Sequence, residues 1–165
     1  MLDWAVDQKE HPVMILIPGN QVTYREADKD FNRLNHFKVE EAGEKVTILA
    51  LGDFLSAWWT AQCKNKKQKL GFTPTLINPR FASGIDKELL ESLSERHQMV
   101  ITMEDGILSG GFGEKIASFY GSSDMKVKNY GLDKKFYDRY DPNELLKEVG
   151  MTPVQIIADI CNQIK

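Results

Sequence analysis

Apolar residues along this chain fall into short unbroken blocks rather than into an alternating pattern. VMILI (Val13–Ile17), VTILAL (Val46–Leu51) and the block from Met99 to Met103 are each too short for a helix and carry almost no polar residue. Such blocks read as strands buried on both faces. Pro18-Gly19 closes the first, Gly52-Asp53 the second, and Glu104-Asp105-Gly106 the third. Phe72–Asn78 and Lys126–Tyr130 read as further strands, the latter ended by Gly131. Pro74 cannot donate to a ladder, so it points to an edge position or an irregular start for its strand. His36–Glu41 alternates polar with apolar residues and reads as a half-exposed edge strand, closed by Gly43.

Between these blocks the period becomes helical. Leu2–Gln8 reads as the last turns of a helix, and Asn20–Asn35 as a polar connection. Asp53 starts a helix running to about Asn65, with Leu55, Trp58, Trp59 and Gln62 along a core-facing or interface-facing stripe. Asp86 caps a helix carrying Leu89, Leu90 and Leu93, and Phe112, Ile116, Phe119 and Tyr120 share one face of another. Asp141-Pro142-Asn143-Glu144 and Thr152-Pro153-Val154-Gln155 are two clear helix starts, the second a T-x-x-Q capping box. Ile156, Ile157, Ile160, Cys161 and Ile164 form the apolar face of the last helix.

From Val46 onward strands alternate with helices, which predicts a largely parallel sheet covered on both faces. The strand before Val46 is joined to it by too few residues for a parallel crossover, so it pairs antiparallel or lies at an edge. The expected domain is therefore a three-layer α/β/α unit over residues 36–165, with a five-stranded, mostly parallel sheet whose first strand is antiparallel. Residues 1–35 carry a buried-type strand without partners and read as the tail of a preceding domain plus a linker.

Composition narrows the function classes. The 165 residues suit one ordinary domain, and a formal net charge of -3 is a poor match for nucleic acid, which needs a basic face. The one basic cluster, Lys64, Lys66, Lys67 and Lys69, reads as the solvated end of a helix. Cys63 and Cys161 show no metal spacing and read as reduced thiols of a cytoplasmic protein, with Cys161 packed on its helical stripe. The N-terminus lacks signal-peptide character, and the apolar runs are too short to span a bilayer, so no membrane partner is expected.

Candidate chemistry gathers in EDGILSGGFGEK, beyond the carboxyl end of a strand. Glu104 and Asp105 precede Gly110, Gly111 and Gly113 at a helix start, where bare amides can hold an anion. The spacing matches no phosphate-loop motif, and Lys115 is not placed as in one. The alternative is that the glycines let the helix approach the sheet or a partner subunit closely. Glu104 and Asp105 are adjacent on a strand end and should point apart, which argues against a carboxylate dyad. His11, His36 and His97 lack metal-ligand spacing, and His97 reads as a surface residue. The residues alone designate no catalytic, cofactor-binding or metal-ligating position.

The linear order of segments adds a resemblance. HPVMILIPGN resembles the last strand of the pyrimidine-binding domain of transketolase-like thiamine-diphosphate enzymes. EKVTILALGDF, LINPRFASGID and ITMEDGILSGGFGEKIASFYG resemble successive segments of their C-terminal domain. VKNYGLDKKFYDRYDPNELLKEVGMTPVQIIADI resembles the tail of the 1-deoxy-D-xylulose-5-phosphate synthases within that family. The beta subunits of 2-oxo acid dehydrogenases share the domain and are the nearest competing resemblance. A free-standing module binding a small anion or a protein is the competing class.

The resemblance implies the same mixed five-stranded fold and a structural, dimer-forming role without catalytic residues. It implies a parent transferase of isoprenoid precursor biosynthesis, a homodimer whose remaining domains hold thiamine diphosphate and Mg²⁺. The family's G-D-G…N motif and its cofactor-activating glutamate do not occur here, so this chain is expected to hold neither cofactor nor metal and to be no catalyst alone. One position departs from the synthase pattern. There an arginine precedes Gly-Asn, as in YPRGN, and holds the substrate phosphate; here Pro18 stands in its place. Arg25 is the nearby residue that could substitute for it.

Overall fold

The computed structural model describes residues 1–17, 31, 33–59 and 69–164, with residues 57 and 59 described by backbone alone. They belong to two units, Met1–Leu34 and Asn35–Lys165. In the first, α1 (Leu2–Asp7) is a short helix without a side-chain cap. The Trp4 and Phe31 rings lie 6.4 Å apart. Val13–Ile17 forms no strand, contrary to the expectation from its apolar run. Met14 and Leu16 are 87% and 83% exposed. A strand of the doubly buried type needs a neighbour on each side, and none is offered among the described residues of this unit.

The second unit carries a five-stranded sheet in the order β1-β3-β2-β4-β5. Its strands are β1 (Lys38–Glu41), β2 (Lys45–Ala50), β3 (Thr75–Asn78), β4 (His97–Ile107) and β5 (Lys126–Leu132). β1 runs antiparallel to β3, and every other pairing is parallel. Two differences from the sequence reading stand out. β3 lies between β1 and β2 rather than at an edge, and begins just after Pro74, so the irregular start is the reading that holds. β4 and β5 run past their expected ends, through Gly106 and Gly131, and their register shifts between Met103 and Ile107.

Both sheet faces are covered. On one, Val46, Ile48, Ala50, Met99, Ile101 and Met103 pack with α2 (Asp53–Trp59) and α6 (Pro153–Gln163). Between β5 and α6 lies α5 (Pro142–Glu148), whose Leu145 is buried. On the other face, Leu49, Ile77 and Val100 pack with α3 (Lys87–Leu93) and α4 (Phe112–Tyr120). The strands' continuous apolar runs thus reflect burial on two sides at once. Trp58 belongs to the first face; the side chain of Trp59, and Gln62, Cys63, Lys64, Lys66 and Lys67, lie outside the described residues.

The predicted caps are present. Asp86 accepts from Leu89 N, Asp141 from Asn143 N and Glu144 N, and Thr152 forms the reciprocal box with Gln155. Cys161 departs from expectation: it is exposed, one position beyond the buried Ile160, and so faces away from the packed stripe. No described helix is long and apolar enough to cross a membrane.

His97 also departs from its surface reading. As the first residue of β4 it is half-buried, with Nδ1 3.1 Å from Leu93 O and Nε2 2.8 Å from Thr75 Oγ1. A carbonyl only accepts, so Nδ1 carries the proton and the Thr75 hydroxyl donates to Nε2. The Thr75 oxygen in turn accepts from Gly43 N at 2.9 Å. The neutral ring satisfies this chain completely, and a second ring proton would leave the Thr75 hydroxyl without the acceptor to which it donates. Burial holds the imidazole below its ordinary value; the Leu93 carbonyl works against this, and Arg96 adds to it. Because the unfolded ring binds the proton more readily, the contribution is full above about pH 6.5 and lost as pH falls through the folded value. Thermal unfolding from pH 7.5 downward should show this loss in the wild type and a shallower slope in His97→Gln. Identical acid slopes in the two proteins would remove His97 from the account.

Candidate functional site

The carboxyl ends of the parallel strands meet at the segment the sequence singled out. Met103 is the last residue of β4 in regular register with β5, opposite Tyr130, and the ladder resumes only at Ile107 opposite Leu132. Within the intervening bulge Glu104 is buried and Asp105 exposed, so the two carboxylates do point apart. A bulge re-aims the side chain it carries. Here it sends Glu104 to the start of α4, eight and nine residues further along.

Glu104 Oε2 accepts from Phe112 N at 2.8 Å, and Oε1 from Gly113 N at 2.9 Å. These are amides of the first helical turn, which lack an intrahelical acceptor. The neighbouring Gly110 N donates to Glu114 Oε2 at 2.8 Å. An anion therefore does occupy this helix start, and it belongs to the chain itself. An incoming phosphate would have to displace a buried carboxylate that makes two charge-assisted hydrogen bonds.

The three glycines have separate causes. Gly110 adopts φ +78°, a left-handed turn that favours glycine. A Cβ on Gly111 would lie 2.5 Å from Glu104 Oε2 and 2.7 Å from Ile107 O. One on Gly113 would lie 2.6 Å from Thr102 Oγ1 and 2.8 Å from Asn129 Cγ. Thr102 Oγ1 donates to Asn129 Oδ1 at 2.9 Å, so α4 rests directly on a cross-strand pair of β4 and β5. Lys115, on the same helix, donates to Ala82 O at 2.8 Å and Ser83 O at 3.3 Å.

That loop contains a second cluster, which the sequence did not announce. Asp86 is buried and accepts from Phe37 N at 2.9 Å, besides capping α3; His36 Nδ1 lies 2.9 Å from the same Oδ2. Arg80 donates from Nε (3.1 Å) and Nη2 (2.8 Å) to His36 O. Of this cluster, only the cap at Asp86 had a local sequence signal. Arg25 and Pro18 lie outside the described residues. Among the described residues no group of three or more His, Cys, Asp or Glu is placed to hold a metal ion.

Residues 35–156 match the family described as "Transketolase, C-terminal domain". The chain belongs to the transketolase C-terminal domain family. It is 28% identical to the 1-deoxy-D-xylulose-5-phosphate synthase of Lachnoclostridium phytofermentans over 99% of this chain and 26% of that protein. The synthase of Prochlorococcus marinus is 32% identical over 87% of this chain and 22% of its own length. The chain thus spans about a quarter of the length of these curated relatives. A solved chain described as "Split gene transketolase, inactive beta4 tetramer" superposes with TM-score 0.71 at 21% identity, over 87% of this chain and 46% of that one. The fold is therefore that of a transketolase C-terminal domain, and within that family the chain is similar to the corresponding quarter of the deoxyxylulose-phosphate synthases.

In this transketolase C-terminal domain, Glu104→Ala leaves two buried N–H groups without an acceptor, which costs about 2–4 kcal/mol of stability. Gly111→Ala forces its methyl group onto the same carboxylate, at about 1–3 kcal/mol. Sharing one oxygen, the two changes should be less than additive in the double variant. Urea unfolding measures all three, and single variants within about 0.5 kcal/mol of wild type would remove Glu104 from its role as the anchor of α4.

Proposed function

We propose that this domain serves assembly rather than chemistry in a thiamine-diphosphate-dependent transferase of the deoxyxylulose-phosphate synthase or transketolase type. The observation that carries this reading is Glu104 at the start of α4: the one anion cradle the sequence offered is filled from within. The longer enzyme would transfer a two-carbon unit, chemistry supplied by thiamine diphosphate with Mg²⁺ held in its other domains. The described residues do not fit either group, since they offer no metal-ligand cluster and the amides at the start of α4 are already held by Glu104. We therefore assign them no step of the reaction. In this reading residues 1–35 are the end of the pyrimidine-binding domain and its linker, and the enzyme works as a cytoplasmic homodimer. The split-gene transketolase chain, described as an inactive beta4 tetramer, is a precedent for inactivity in a chain of this fold.

The 165-residue chain alone should neither bind thiamine diphosphate with Mg²⁺ nor turn over pyruvate with glyceraldehyde 3-phosphate. Titration calorimetry and a coupled assay test both, and micromolar binding of the cofactor would sink the proposal.

Pro18 adds a point about the substrate. It offers a phosphate oxygen neither charge nor backbone N–H. An arginine contact to phosphate stabilises by roughly 1.5–3 kcal/mol, about one to two orders of magnitude in discrimination. We propose that Arg25 supplies this contact. In the longer enzyme, Arg25→Ala should lower kcat/KM for glyceraldehyde 3-phosphate by about 10–100-fold relative to an unphosphorylated aldehyde. Pro18→Arg should restore the preference. An unchanged preference in Arg25→Ala would discard the substitution.

A further inference from the structure

A hydroxyl without a partner lies beside the histidine chain that joins Leu93, His97, Thr75 and Gly43. Thr47 is wholly buried, and its Oγ1 finds no hydrogen-bond partner among the described residues. A buried polar atom left in this way costs stability, so its retention calls for an explanation.

Thr47 stands opposite Thr75 in the β2–β3 ladder, as Leu49 stands opposite Ile77 two residues further on. Both threonines therefore share the sheet face covered by α3 and α4. β2 lies between β3 and β4, so the hydrogen bond between His97 and Thr75 passes over β2 on that face. Threonines opposite one another on neighbouring strands can hydrogen-bond. Here they do not, because the Thr75 hydroxyl has one proton and gives it to His97 Nε2.

With the ring neutral, Thr75 Oγ1 accepts from Gly43 N and donates to Nε2, which leaves it one lone pair in reserve. A proton taken from solvent onto Nε2 reverses the second bond: Nε2–H donates, and Thr75 Oγ1 accepts twice. The buried Thr75 O–H then needs a new acceptor, and Thr47 Oγ1 is the unoccupied oxygen beside it. Rotation of the Thr75 hydroxyl makes the exchange while the bond to Gly43 is kept. That bond belongs to a tightly seated turn. A Cβ on Gly43 would collide with Thr73 O and Pro74 C, and the next two amides donate to Thr73 O at 2.9 Å and Arg96 O at 3.1 Å.

The surrounding charges do not replace this hydroxyl pair. Arg96, next to His97 in the chain, disfavours a second ring proton, and no carboxylate acts on the ring. Lys45, opposite His97 in register, holds its ammonium 5.3 Å from the centre of the Phe72 ring. Glu88 and Glu91 of α3, Glu95 beyond its end and Glu44 of the β1–β2 turn are all exposed. From α4, Tyr120 donates to Leu90 O, and burial keeps its phenol protonated.

We propose that His97, Thr75 and Thr47 form a two-position hydrogen-bond switch, in which protonation of His97 turns the Thr75 hydroxyl from Nε2 to Thr47 Oγ1. Thr47 is the reserve acceptor, and the β1–β2 turn stays tied to β3 in both positions. The inference does not depend on which reaction the longer enzyme performs.

NMR titration of the 165-residue chain reads the switch, with the His97 ring assigned by its loss in His97→Gln. Thr47→Val removes the reserve acceptor with little change of shape. The His97 pKa should then fall by about 0.5–1 pH unit, because the charged form loses one hydrogen bond. At pH 7.5 the Tm of the same variant should hold or rise, since an unpartnered hydroxyl has gone. Thr47→Ser should retain the wild-type pKa. In the wild type, which needs no substitution, the Gly43 amide should shift with the His97 midpoint yet stay protected from exchange on both sides of it. A wild-type His97 pKa in Thr47→Val overturns the switch, and so does a Gly43 amide that loses its protection as the ring takes up its proton.

Discussion

A helix start must find acceptors for its first amides, and at α4 that requirement is met by one buried carboxylate from a neighbouring strand. Glu104 reaches them only because the β4 ladder breaks between Met103 and Ile107, and α4 can lie where it does only because Gly111 and Gly113 lack side chains. With α4 in place, Lys115 reaches the 82–83 loop, and that loop carries the groups which hold His36 and Phe37. Bulge, helix and loop are thus one connected arrangement. A change at Glu104 would be felt well beyond its own two hydrogen bonds.

The arrangement also defines what the carboxyl edge of this sheet is for. In open α/β folds that edge is where ligands gather, because helix dipoles and loop amides point there. Here the most favourable position is occupied by a fixed internal charge. Asp105, the adjacent acid, faces solvent, and no described metal-ligand cluster lies within reach. A domain built this way keeps the family's scaffold while presenting polar groups bound to its own backbone.

Much of the fold was legible because its signals are local. The caps at Asp86, Asp141 and Thr152 depend on residues two or three positions away, and the runs in β2 and β4 report burial on both faces directly. The failures have a common physical origin. Val13–Ile17 has the pattern of a buried strand, but pattern cannot provide neighbours. Pro74 left an edge or an irregular start open, and only the structure decides for the irregular start, because the donor it lacks falls just before the first paired residue. Cys161 was assigned to a stripe that runs through Ile160 and on to Ile164 but leaves Cys161 on the outer side. His97 and Glu104 gain their roles from groups brought near by tertiary structure, Thr75 in one case and the α4 amides in the other. The grip of Arg80 on His36 rests on a left-handed backbone, which no arginine announces in sequence.

The antiparallel strand at the edge has a consequence for how the chain acquires its shape during synthesis. Among the described strands β1 emerges from the ribosome first, but the one partner it has among them is β3, and β3 must also pair with β2. The opening strand therefore stays unpaired until Thr75–Asn78 has been made, while the clamp on the residues just before it waits further, for Arg80 and Asp86. The domain's first residues are therefore fixed only after Thr75–Asn78, Arg80 and Asp86 have been made, although they leave the ribosome before all of these.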